Sequence, residues 1–176
     1  RGGPGAGRRI RLPMLADLLD AYRRGETDAQ HALLEEMEPL LYGMVRSMSP
    51  GAAADPEGAV RHAHALTLAF HLRACRGEVA ADRPAALRAL AHRMAVKRLA
   101  DPEPLPLADL ADPETGSMVY RCLGLGLAAE EALTPAEQAA FLARLEGAPP
   151  APPEAWASAR PKLRRAGFLA EPPAAS

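Results

Sequence analysis

A chain of 176 residues is long enough for one medium domain or two small ones, and with 48% of its residues apolar a packed core can form. Only 4% of the residues are aromatic, alanine and leucine dominate and β-branched residues are scarce, so local preference favours helix and an all-α fold is expected. The formal net charge of −1 excludes a generally basic, nucleic-acid-coating surface, so any contact with nucleic acid must come from local clusters.

In chain order, residues 1–12 read as a basic flexible tail: "RGGPGAGRRIR" has glycines and arginines but no apolar periodicity. A first helix is expected from about Pro13 to Arg24, with Leu15, Leu18, Leu19 and Tyr22 on one face and Gly25 as its stop. Thr27 to Gln30 resembles a capping box that opens a longer helix with an apolar stripe from Leu33 to Met48. Pro39 lies inside that stripe and predicts a kink or a break.

Asp55 and Pro56 form a cap and first-turn proline for a third helix that Gly77 closes. Asp82 is the expected cap of the fourth helix, which ends before "DPEPLP". From residue 101 to 116 proline and acids replace periodicity, which predicts a linker and divides the chain into domains 13–100 and 117–168, with a tail at 169–176. A fifth helix over Ser117 to Ala132 contains Gly124 and Gly126, each disfavoured against alanine by about 1 kcal/mol in a helix interior. "TPAE" opens a sixth helix at Thr134, and a seventh begins near Pro153, where Pro161 predicts a kink or a fresh start.

Two basic clusters stand out. Arg88, Arg93, Lys97 and Arg98 lie at helical spacings on or near one face of the fourth helix, suited either to phosphates or to a solvated surface. Arg160, Lys162, Arg164 and Arg165 form the second, suited either to DNA or to the carbonyl end of their own helix. His64, His71 and Cys75 fall at spacings of seven and four without an evident fourth ligand, so core or boundary roles are expected and no metal or other cofactor is read. Trp156 is the expected apolar anchor of the C-terminal unit. No phosphate loop, nucleophile elbow or carboxylate pair in a cleft pattern is present, so no enzyme is expected. Cys75 and Cys122 have no CxxC partner, and neither a signal-peptide core nor a membrane-length apolar run is found, so a reduced, cytoplasmic setting without membrane is expected.

Several stretches together resemble the extracytoplasmic-function sigma factors of the sigma-70 family. "LLDAYRRGETDAQHALLEEMEPLLYGMVRSM" resembles the opening of region two, "DPEGAVRHAHALTLAF" its acid-rich helix, and "ALRALAHRMAVKRLAD" its promoter-facing basic helix. "ALTPAEQAAFLARLEG" resembles the first helix of region four and "ASARPKLRR" the end of its recognition helix. The likeness implies two small helical domains, a region-two-like bundle and a reduced region-four-like unit, joined by the proline-rich linker.

By the same likeness, Asp55, Glu57, Val60 and Arg61 would bind core RNA polymerase and the two basic clusters would contact promoter DNA. An anti-sigma or other regulatory protein is a further partner that it allows. Where the family has aromatic residues on the third helix and at the start of the fourth, this chain has His64 and Ala85, Ala86 and Leu87, which removes faces that hold melted bases. Between Gly147 and the basic end only "APPAPP" and "EAWAS" stand where a helix-turn-helix would be. Two functions follow as expectations: a sigma-like factor that recruits polymerase to promoters, and a sigma-like adaptor that has lost sequence-specific reading.

Overall fold

The computed structural model describes residues 12–49, 51, 55–101, 103–150 and 152–171. The basic N-terminal segment 1–11 and residues 172–176 lie outside the described residues. Seven helices are present among the described residues: α1 Leu12–Arg23, α2 Thr27–Met48, α3 Pro56–Cys75, α4 Pro84–Leu99, α5 Cys122–Ala132, α6 Pro135–Leu145 and α7 Pro153–Arg165. The described chain is all-helical apart from one isolated antiparallel bridge, Leu107 to Leu169. None of these helices is long and apolar enough to cross a membrane.

α3 is the central element. Its run from Ala63 to Leu72 is buried on every side, because α1, α2, α4, α5 and α6 all pack against it. α2 offers Leu33, Leu34, Met37, Leu41 and Val45 at three-and-four spacing, the pattern that turns one stripe inward. Asp55 caps α3 as expected, accepting from the Gly58 amide at 2.9 Å with Pro56 in the first turn. Thr134 and Glu137 form the capping box of α6, with both reciprocal bonds made.

Other local expectations give way to tertiary contacts. Thr27 begins α2 without a capping box, because the Gln30 amide is drawn inward to the Tyr22 carbonyl at 2.9 Å, joining the end of α1 to α2. α2 runs through Pro39 and α7 through Pro161 without interruption, and both prolines are exposed. Arg83, not Asp82, is the N-cap of α4, with Pro84 in the first turn. α5 starts at Cys122, because residues 117–121 form a turn tethered to Glu38, which accepts from Ser117 Oγ at 2.5 Å and Met118 N at 2.9 Å.

The segment 101–116 is not a free connection. Leu107 and Leu110 are buried in the same hydrophobic cluster as the helices on either side. Ala108 N donates to the Phe168 carbonyl and Ala170 N to the Pro106 carbonyl, so the chain after α7 folds back onto this segment. Leu169, expected in a tail, is buried. Residues from α1 through α7 therefore contribute to one continuous core.

A buried ion cluster joins the two halves. Arg98 at the end of α4 and Arg144 at the end of α6, 2% and 4% exposed, converge on one Asp101 carboxylate; the Arg144 contact is 2.8 Å. Arg98 also donates to the Arg144 carbonyl, and Arg144 donates to the Glu103 carbonyl at 3.4 Å. Burial raises the Asp101 pKa, but the Glu103 amide and the two guanidiniums outweigh it and hold the carboxyl below its ordinary range. Next to this cluster Gly147 has φ of +83°, and a Cβ there would stand 2.5 Å from the Lys97 carbonyl oxygen.

Asp101→Asn is expected to lower unfolding free energy by about 3–5 kcal/mol in urea titration, since it strands two buried guanidiniums. Gly147→Ala should lower it by about 2 kcal/mol or more through a positive φ and a backbone collision.

Candidate functional site

The four residues expected to bind polymerase come together at the start of α3. Asp55, Glu57 and Arg61 are exposed and Val60 is half-buried. Glu57, Val60 and Arg61 fall within one turn, so the helix itself sets them side by side. With Pro56, His64 and Asp109 they line an open cleft of about 280 Å³. Asp109 comes from the 101–116 segment, and no spacing in the sequence announces its approach to α3.

Val60 and His64 form a wall between that cleft and a second hollow of about 260 Å³, lined by Glu38, Pro39, Tyr42, Ala63 and Gly116. On its other flank Arg61 borders a smaller hollow of about 150 Å³ with His62, Arg98, Leu105 and Leu107. The first two turns of α3 are thus a ridge with depressions on both sides.

His64 is 6% exposed, and its Nε2 stands 3.6 Å from Glu38 Oε2. Burial lowers its pKa, against the opposing pull of Glu38 and Asp109. His71 is separate from it. Its Nδ1 meets Tyr22 Oη at 2.5 Å and its Nε2 lies 3.7 Å from Cys75 Sγ. Burial pushes the His71 pKa down to about 4, which keeps the ring neutral. Among the described residues no group of three His, Cys, Asp or Glu side chains is placed to hold a metal ion.

Comparison of the chain with family models, curated proteins and solved structures finds no match.

The two basic clusters have different fates. Arg88, Arg93 and Lys97 are exposed on the outward half of α4, in the company of His92 and Val96. Arg98 is not part of that half: it points into the core and is used by Asp101, so it is withdrawn from the set able to reach a phosphate. In α7 Arg160 and Arg165 are exposed and Arg164 is half-buried. Lys162 Nζ donates to Glu137 Oε1 at 2.7 Å, so the capping acid of α6 holds it in place.

α7 is also a packing helix. Ala155, Ala159 and Leu163 form its buried row. Trp156, half-buried, is covered by the Arg144 guanidinium at 5.8 Å from the ring centroid, which ties α7 to the ion cluster. Among the described residues between Gly147 and Arg165 there is a single helix, so a supporting helix followed by a reader is not formed.

Glu137 also accepts from Ser158 Oγ, and the bonds from Lys162, Ser158 and Thr134 pull its pKa from 4.5 to about 2. A depressed carboxyl stabilises the fold above its unfolded pKa and loses that contribution as pH falls through the folded value. The stability of the wild type should therefore drop between about pH 5 and pH 2 more steeply than that of Glu137→Gln, as read by chemical denaturation at a series of pH values.

Proposed function

We propose that this protein is a sigma-like adaptor that docks on core RNA polymerase through the start of α3 and does not read promoter sequence. The observation that carries the reading is the open face of Glu57, Val60 and Arg61 on the cleft shared with His64 and Asp109, with exposed Asp55 capping the same helix. Two exposed acids, an arginine and a half-buried valine offer the mixture of charge and apolar area that suits the side of a helical partner. The resemblance of this stretch to the region-two helix that meets the clamp helices of the polymerase supplies the identity of the partner.

Two features favour an adaptor over an initiation factor. α7, which carries the recognition-like sequence, packs its inner row against the core, and among the described residues no second helix precedes it after Gly147. His64 occupies a buried position beside Glu38, so it offers no exposed face to a flipped base. The mechanism is recruitment or occupancy of the polymerase, with no chemistry on a substrate.

The second reading, promoter recruitment, is favoured by one observation: Arg88, Arg93 and Lys97 are all exposed, spread over the outward half of α4. That surface suits sequence-independent contact with phosphates near the polymerase.

Purified protein is expected to be retained by core RNA polymerase in a pull-down, and Glu57→Lys with Arg61→Glu should weaken retention roughly tenfold or more while leaving the thermal midpoint unchanged. No retention of the wild type would overturn both readings. If polymerase is retained, run-off transcription on genomic fragments should give no defined starts for an adaptor; defined starts would establish the promoter-recruiting reading. In a salt titration of duplex DNA binding, alanine at Arg88, Arg93 or Lys97 should each reduce the slope by about one phosphate. Arg98→Ala should instead lower stability, measured by thermal melting.

A further inference from the structure

α5 and the turn before it present an outward row of exposed side chains. Tyr120 and Leu127 are 62% and 59% exposed, the largest exposures among the large hydrophobic side chains described. On α5 helical spacing aligns Gly124, Leu127 and Glu131 in one line; Tyr120 stands in the turn that leads into the helix, and Arg121 is its N-cap. Both ends of the row's first turn are steadied. Tyr120 meets the edge of His31 on α2 at 5.3 Å between ring centroids, and Arg121 donates one guanidinium nitrogen to the Ala111 carbonyl at 2.9 Å.

The two glycines of α5 have different reasons to be there. At Gly126 a Cβ would come within 2.9 Å of His71 Nε2, so the core requires glycine. Gly124 is exposed, a Cβ added there would meet nothing within 4 Å, and its φ is not positive. Within this chain alanine would be accepted there and would stabilise the helix by roughly 0.5–1 kcal/mol. An exposed glycine beside two exposed apolar side chains leaves a notch of the kind that admits a side chain from another backbone.

The geometry points to a second copy of this chain as the occupant, bound through α5 in an antiparallel two-fold pair centred between Leu125 and Gly126. About that axis Leu127 of each copy reaches the height of the partner's Gly124 and seats in the notch between Tyr120 and Leu127. The same operation brings Glu131 to the height of the partner's Tyr120, within reach of the partner's Arg121. The row is therefore complementary to itself in shape and in charge: knob to notch, acid to base, twice over. Self-complementarity about a two-fold is what an isologous interface requires. A membrane surface would not use the acids Glu130 and Glu131 at the end of the row, since anionic headgroups repel them.

Sedimentation velocity over a micromolar to millimolar range should show a reversible dimer. Leu127→Glu should abolish it, while circular dichroism and the thermal midpoint stay those of a folded monomer. Arg121→Glu and Glu131→Arg should each weaken the dimer roughly tenfold, and the double exchange should restore it to near the wild-type constant. A wild type that stays monomeric throughout, a dimer indifferent to Leu127→Glu, or a double exchange that fails to restore association would each overturn the proposal.

Discussion

Two arginines share one carboxylate at the centre of this molecule. Arg98, Asp101 and Arg144 lie where the end of α4, the start of the 101–116 segment and the end of α6 meet, and each is nearly inaccessible to water. Charges removed from water are tolerated when they are paired and hydrogen-bonded, and here backbone carbonyls of Glu103 and Arg144 add to the pairing. Gly147 lets the α6 terminus settle against Lys97 and Arg98, and the Arg144 guanidinium supports Trp156 of α7. Helices on both sides of the 101–116 segment are held in one core by this junction and by the Leu107 to Leu169 bridge.

That junction shapes the functional reading. It removes Arg98 from the exposed basic set and makes α7 part of the scaffold, and Glu137 occupies Lys162. Outward remain Arg88, Arg93 and Lys97 of α4, Arg160 and Arg165 of α7, the α3 ridge with Asp55, Glu57 and Arg61, and the row at α5. These exposed faces carry the docking that we propose, and each of the seven helices contributes to the one core.

Much of the secondary structure is legible in the sequence because it rests on local chemistry. Asp55-Pro56 and Thr134-Pro135 name their helix starts, and the α2 stripe names its buried face. Local chemistry fails where distant contacts override it. The packed inner rows of α2 and α7 continue past the exposed Pro39 and Pro161, and Gln30 turns away from a cap to reach the Tyr22 carbonyl. The 101–116 segment has the composition of a linker, and its two buried leucines, Leu107 and Leu110, are too few to set a period among its prolines and acids. Of the site, the α3 residues are legible as neighbours on one helical turn. Asp109 and Glu38 are not, since they reach His64 from segments far away in sequence. Spacing places Arg98 near Lys97, whereas the choice between solvent and core is made by Asp101 and the α6 carbonyls, which no local pattern reveals.

Docking of the polymerase on the start of α3 is tested most directly by hydrogen–deuterium exchange of the full chain, alone and with core RNA polymerase. Added protection is predicted in a peptide covering Asp55 to His64, with α7 amides unchanged. Unchanged exchange at Asp55 to His64, or protection confined to α7, would contradict it.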